Sequence, residues 1–229
     1  MIPLHDLNPR RRIRVPWVTL VLIGANVLAF LYELSLGPHI EAFLLANAFV
    51  PAEATTWTRG GPVAGGEVLW NALLSLFLHG GLAHLGGNML FLWIFGDNIE
   101  DRLGHFPFLV FYLLAGFAAT LAHTLANPGS ALPAIGASGA ISGVLGAYLL
   151  LHPQARIVTL VFLGFFISTV RIPALVYLPL WFLLQFVSGV ASLGADTAVE
   201  AGGVAWFAHI GGFIAGPLLL LVLGGWRRR

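Results

Sequence analysis

Long apolar stretches separated by short polar segments dominate the hydropathy pattern of this chain. Six of them approach or exceed the roughly 20 residues that a helix needs to cross a membrane. In chain order they cover Val15–Leu36, Leu82–Ile99, Phe106–Ala126, Ile135–Leu151, Ile172–Ala191 and Val204–Gly225. The pattern therefore predicts an all-α membrane protein with six transmembrane helices.

A seventh apolar segment is too short to count as a span. It covers Ile157–Val170, lies between Arg156 and Arg171, and is interrupted by Gly164. Its length favours an interfacial or packed re-entrant segment over a membrane-spanning helix. The role of the Arg156–Arg171 segment is left open by the sequence.

The distribution of basic residues supports the six-span count. All eleven are arginine, and six spans place ten of them on one side of the membrane. Because basic residues accumulate on the cytoplasmic side, both termini are expected there. Only Arg59, in the first outer loop, is placed on the opposite, outer side of the membrane. We expect a cytoplasmic segment at residues 1–14, a membrane domain at 15–226 and a basic cytoplasmic tail at 227–229.

Composition narrows the class of protein further. The chain is 58% hydrophobic and only 9% charged, whereas a soluble domain has roughly 25% charged residues. A net charge of +1 argues against nucleic-acid binding. There is no cysteine, which excludes disulfides and thiolate chemistry. We expect a multi-pass protein whose partner is the lipid bilayer, in a bacterial cytoplasmic membrane.

Four polar residues fall within the predicted spans, where such residues are costly and often functional. His84 and Asn88 are spaced i, i+4 and share one face of the second span. Ser138 lies at the outer end of the fourth span, and His209 lies near the outer end of the sixth. The topology therefore predicts that all four lie at a similar shallow depth.

Small residues indicate which spans touch. The fourth span carries Gly139, Gly143 and Gly146, and the sixth carries Gly212 and Gly216 on the face of His209. Small residues at this spacing let membrane helices approach closely. If these two spans pack together, Ser138 and His209 come within reach of each other.

These residue types fit nucleophilic catalysis. A serine hydroxyl needs a base within hydrogen-bond distance, and His209 is the candidate for Ser138. The Asn88 amide, His84 and the Ser138 backbone N–H could stabilise an oxyanion. Each residue could instead serve helix packing, and His79, His84 and His209 could form a metal site. We expect a serine–histidine dyad, with no metal and no cofactor.

Four motifs resemble one known family, the rhomboid intramembrane serine proteases. His79 to Asn88 is similar to the family's H-x4-H-x3-N motif, and Gly136-Ala137-Ser138-Gly139 is similar to its G-x-S-G motif. The stretch from Ala208 to Gly212 and the Glu100-Asp101-Arg102 element also resemble family motifs. All occur in the family's order, and the resemblance covers roughly Trp70 to Pro217.

The resemblance implies a function and a set of roles. Ser138 and His209 would cleave transmembrane segments of membrane proteins near the outer face of the membrane. His84 and Asn88 would stabilise the oxyanion that forms during the reaction. Structural roles would fall to the remaining motif residues, His79, Gly136, Gly139, Glu100, Arg102 and Gly212. The implied fold is a six-helix rhomboid-like bundle around an outward-facing cavity, capped by the loop Ser192–Gly203.

Two departures from the family pattern are present, and neither removes a catalytic group, but the residue that orients His209 is left open. Asn71 follows Trp70 where the family has arginine, and Ser142 stands where an aromatic residue often packs on the catalytic histidine. A non-catalytic relative that binds or escorts membrane helices is the main alternative. A transporter is disfavoured because no internal repeat is present. The physiological substrate and the oligomeric state are not predicted.

Overall fold

The computed structural model of the chain describes residues 1–8, 12–163, 166–192 and 205–224. Within these ranges the fold is mostly helical. The helices are α1 (Trp17–Ser35), α2 (Ile40–Asn47), α3 (Pro51–Thr58), α4 (Gly65–Leu74), α5 (Leu82–Leu103), α6 (His105–Ala126), α7 (Ser138–Leu151), α8 (Ala174–Ser192) and α9 (Trp206–Val222), with a 3-10 turn at Gly37–His39. The helical state predicted for the six apolar stretches is confirmed in α1, α5, α6, α7, α8 and α9.

Length and composition alone identify two of these helices as membrane spans. In the part of the chain that the structure describes, α1 and α6 are long and apolar enough to cross a bilayer. At 1.5 Å per residue, the 14 residues of α7 extend only about 21 Å. The six-span count is therefore not established by helix length.

The expectation of an all-α chain is wrong. Three strands, β1 (Ile2–Asp6), β2 (Arg156–Leu163) and β3 (Phe166–Pro173), form an antiparallel sheet in the order β1-β2-β3. In the register, Asp6 pairs with Ile157, and Ile157 pairs with Ile172. The segment predicted to be interfacial or re-entrant is thus a β-hairpin.

Burial alternates along β2, although its sequence is almost uniformly apolar. Ile157 and Thr159 are both fully buried, and the residues between and after them are partly exposed. A period of two is the spacing of a strand with one buried face. The segment is also rich in β-branched residues, which favour strands.

The main hydrophobic core lies between α5, α6 and α7. Phe95 of α5, Tyr112 of α6 and Tyr148 of α7 are among its fully buried side chains. The rings of Phe95 and Tyr148 meet edge to face, with centroids 4.9 Å apart. This core holds α7 between its neighbours.

Helices α7 and α9 cross at very short range, as the glycine pattern predicted. A Cβ atom at Gly212 would overlap the carbonyl oxygen of Gly139, and one at Gly216 would overlap that of Gly143. On the other side of α7, a Cβ at Gly143 would lie 2.6 Å from the Cβ of Ala115 in α6. Only glycine allows this approach, so these positions fix the relation between the two helices.

The segment between α1 and α5 folds against the C-terminal half of α6. The Phe49 and Ala134 backbones form an isolated antiparallel bridge, and the Ala52 N–H donates to the Ser130 carbonyl at 3.0 Å. These bonds join the first loop to the segment that leads into α7. The loop is therefore tied to the helix that begins with Ser138.

Candidate active site

Ser138 is the first residue of α7, and the turn before it requires glycine. Gly136 has φ +117°, a conformation that residues with a side chain rarely adopt. Its N–H donates to the Ser75 carbonyl at 2.8 Å. A Cβ atom there would lie 2.7 Å from the His84 ring, so Gly136 lets the chain pass directly over that histidine.

The Ser138 side chain contacts His209. The distance from Ser138 Oγ to His209 Nε2 is 2.8 Å, and the two residues are 71 positions apart in the chain. With a neutral imidazole, the hydroxyl donates and Nε2 accepts. His209 is only 8% exposed. This is the geometry that a general base needs to remove a proton from a serine nucleophile.

Asn88 is held in place by His79. The Asn88 amide nitrogen donates to His79 Nε2 at 2.9 Å, and His79 Nδ1 donates to the Phe77 carbonyl at 3.2 Å. The amide nitrogen carries a second hydrogen, and Asn88 also lines the cavity in front of Ser138. His79 therefore holds an amide donor at the wall of the cavity that Ser138 also lines.

One contact that anchors His79 was not predicted from the sequence. The His79 backbone N–H donates to the carboxylate of Glu33, a buried residue in the last turn of α1, at 3.1 Å. The isolated carboxylate in an otherwise apolar span was an available signal. It links the first helix to the loop before α5.

A cavity of about 710 Å³ opens beside the serine and histidine. Its lining includes His84, Asn88, Ser138, His209 and Trp181. The cavity therefore brings together the four polar residues that the sequence placed at one depth. Across the described ranges, no three His, Cys, Asp or Glu side chains converge as metal ligands.

Two tryptophans contact His209, and the sequence did not point to either. The Trp181 ring lies 6.1 Å from the His209 ring at an interplanar angle of 37°, and the Trp206 ring lies 6.1 Å away at 90°. Ser142 has a different contact, since its hydroxyl donates to the Ser138 carbonyl at 2.7 Å. In the family pattern an aromatic residue at the position of Ser142 often packs on the histidine. Here Trp181 of α8 and Trp206 of α9 make that contact with His209.

Glu100 lies far from the cavity, in the last turn of α5. Its buried carboxylate accepts bonds from the Val18 N–H at 2.9 Å, and from the Thr19 N–H and hydroxyl at 2.8 and 2.7 Å. It also contacts His105. The carboxylate thereby caps the start of α1. Arg102 lies in the same turn of α5.

Two segments with predicted roles lie outside the described residues. Most of the loop Ser192–Gly203, which was expected to cap the cavity, belongs to residues 193–204. The basic tail at 227–229 is also outside. Their roles stay predictions.

The fold and site together define a class: a mostly helical protein of membrane-type composition with a part-buried serine–histidine pair at the wall of a cavity. The family model for the Rhomboid domain matches residues 66–226. This match contains every residue of the site described above except Glu33 and the start of α1. The chain belongs to the rhomboid family of membrane-embedded proteins.

Individual relatives agree with this assignment. Rhomboid protein 1, mitochondrial, of Saccharomyces cerevisiae is 35% identical over 66% of this chain and 40% of its own length. Rhomboid protease GluP of Bacillus subtilis is 35% identical over 71% of this chain and 28% of its own. RHOMBOID-like protein 4 of Arabidopsis thaliana is 29% identical over 91% of this chain and 52% of its own. The chain thus spans about a quarter to a half of the length of these relatives.

Proposed function

We propose that this protein is an intramembrane serine endopeptidase with Ser138 as nucleophile and His209 as general base. The observation that carries the proposal is the 2.8 Å contact between Ser138 Oγ and His209 Nε2 at the wall of a cavity. Membership of a family with a member named as a protease adds support.

In the proposed reaction, His209 accepts the Ser138 proton as Oγ attacks the carbonyl carbon of the scissile peptide bond. The negative charge that develops on the carbonyl oxygen needs preorganised donors. The Asn88 amide and the Ser138 backbone N–H, at the start of α7, are the candidates, with His84 beside them. His209 then gives the proton to the leaving amine, and water hydrolyses the acyl-enzyme.

The proposed substrates are transmembrane segments of other membrane proteins. A peptide bond within a helix has its carbonyl bonded internally, and hydrocarbon contains no water. The substrate must therefore unwind at the cut site, and the cavity must supply water. We place six helices across the bilayer, with cleavage near the outer face. The short length of α7 is compatible with this depth, since a helix of about 21 Å that ends at the inner face of a hydrocarbon core of about 30 Å begins below its outer face.

The test is proteolysis of a generic single-span substrate by purified protein. We expect wild type to cleave, and Ser138→Ala and His209→Ala to lose at least a thousandfold in rate, because the pair acts as a unit. Ser35→Ala is the serine control and His39→Ala is the histidine control, since both residues are exposed and lie away from the cavity. Both should keep activity.

Cleavage that persists in Ser138→Ala would contradict the proposal. A wild type that binds the substrate without cutting it, and whose Ser138→Ala variant binds equally well, would favour the helix-binding alternative. The site of the cut tests the orientation, because cleavage near the cytoplasmic face would contradict the six-span topology. The predicted location in a bacterial cytoplasmic membrane is tested separately, by fractionating the membranes of the source cell and detecting the protein in each fraction.

A further inference from the structure

A second large cavity lies away from the serine and histidine, between the first loop and the C-terminal half of α6. It has a volume of about 700 Å³ and is lined by α3, α4 and α6. Large apolar side chains on its wall are well exposed, including Leu69 at 52% and Leu125 at 73%. A groove of this character, on a helix that is apolar enough to cross a bilayer, suits a lipid environment better than water.

The polar atoms on the groove wall are mostly satisfied within the protein. The hydroxyls of Thr58, Thr120 and Thr124 each donate to a carbonyl of their own helix at 2.9 Å. Their methyl groups therefore contribute to an apolar lining. A polar ligand group would find few donors among them.

Arg59 is the exception. It is the one charged residue on the groove wall among the residues that the structure describes. No carboxylate in those same ranges lies within ion-pair distance of its guanidinium. The sequence also makes Arg59 unusual, because it is the single arginine that the predicted topology places on the outer side. A cation beside an apolar groove matches a molecule with an anionic head and a hydrocarbon chain.

We propose that this groove binds an anionic phospholipid, with one acyl chain along α6 and the phosphate paired with the Arg59 guanidinium. The lining residues of α6 extend from Phe117 to Leu125, which is about 12 Å of helix at 1.5 Å per residue. That length accommodates the half of an acyl chain that is nearer the head group. The proposal does not depend on catalysis, so a failure of the protease assignment leaves it intact.

The test is native mass spectrometry of the purified full chain with an equimolar mixture of phosphatidylglycerol and phosphatidylcholine that have the same acyl chains. We expect wild type to retain phosphatidylglycerol preferentially. Arg59→Gln should reduce that preference roughly fivefold, the effect of one basic residue at a lipid surface. Arg59→Lys keeps the charge and should keep the preference. Thr124→Phe, which places a ring in the groove, should reduce retention of both lipids.

Arg171→Gln is the matched control, since it removes one exposed positive charge from β3 at the opposite end of the molecule. It should behave as wild type. An unchanged lipid preference in Arg59→Gln would overturn the proposal. An equal loss in Arg171→Gln would also overturn it, because the preference would then follow net charge. Undiminished retention of lipid by a folded Thr124→Phe protein would show that the acyl chain lies elsewhere.

Discussion

At the scale of single residues, the orientation of His209 depends on aromatic rings from other helices. Trp181 packs against it and is itself held by Phe91 of α5 and Phe213 of α9, with ring centroids 6.3 and 6.2 Å away. Aromatic contacts of this kind are worth about 0.5–1.5 kcal/mol. The Trp181 ring therefore limits how far the imidazole can rotate from Ser138.

Replacing Trp181 tests this role. If the ring positions His209 for the reaction, Trp181→Leu should lower kcat up to about tenfold, the rate equivalent of such a contact. KM should change little, and Trp181→Phe should recover most of the loss. The measurement is steady-state cleavage of the single-span substrate.

The control is Trp93→Leu, which removes a tryptophan that is 59% exposed on α5. Its kcat should equal that of wild type. Faster cleavage by the Trp181→Leu variant would contradict a positioning role for the ring.

At the scale of elements, the crossing of α7 and α9 determines whether the site exists. Ser138 and His209 lie on different helices, and their contact depends on the distance between the two helix axes. The glycines on the facing surfaces set that distance. Because a protein interior is close-packed, an added methyl group there must separate the helices.

Gly216→Ala should therefore destabilise the protein by about 1–3 kcal/mol, the usual effect of overpacking. The position is seven residues beyond His209, so the change tests helix packing without touching the dyad. We expect cleavage activity to fall together with stability. The loss of stability is measured by thermal unfolding in detergent, with tryptophan fluorescence as the signal.

The matched control is Gly86→Ala in α5, where an added Cβ would meet nothing within 4 Å. It should leave stability unchanged or raise it by up to about 1 kcal/mol through helix propensity. Equal unfolding temperatures for the two variants would refute the role of close packing at Gly216.

At the scale of the whole molecule, the start of the chain is tied to two distant helices. The Asp6 carboxylate accepts a bond from the Tyr148 hydroxyl of α7 at 2.6 Å and from the Asn98 amide of α5 at 3.2 Å. Asn8 donates to the other end of the Asn98 amide at 2.6 Å. The N-terminal strand thus joins the sheet to the ends of α5 and α7.

Burial raises the pKa of Asp6 above its ordinary value, and the bonds from Tyr148 and Asn98 only partly oppose this. The folded state therefore binds the Asp6 proton more tightly than the unfolded state does. It follows that Asp6 favours folding at pH values below its ordinary pKa, and that this contribution is lost as pH rises through its folded-state pKa. Asp6→Asn should remove this part of the pH dependence.

The comparison is thermal unfolding of wild type, Asp6→Asn and Tyr148→Phe between pH 4 and pH 8. The advantage of Asp6→Asn over wild type should be greatest at pH 8 and should shrink toward pH 4. Tyr148→Phe lacks the donor but retains the titrating carboxylate, so it should keep the pH dependence. Parallel curves for wild type and Asp6→Asn would contradict the assignment.

Much of the fold could be predicted because the hydropathy pattern is local. Six apolar stretches became six helices, with Ser138 at the start of its helix as predicted. The pattern did not identify the strands at Arg156–Arg171, because residues 157–163 are almost uniformly apolar and their alternation in burial exists only in the folded structure. It also failed to connect this segment with residues 2–6, since strand pairing across more than 150 positions leaves no periodic trace in the sequence.

The sequence by itself determined which chemistry is available, because a serine, two histidines and an amide inside apolar stretches restrict what the site can do. It also determined that α7 and α9 pack closely, because glycine spacing encodes helix approach. The tertiary structure decided how these groups meet: the 2.8 Å contact of Ser138 with His209, and the Trp181 ring where Ser142 is too small. Such contacts depend on side chains from separate helices, whose relative positions follow from packing of the whole molecule.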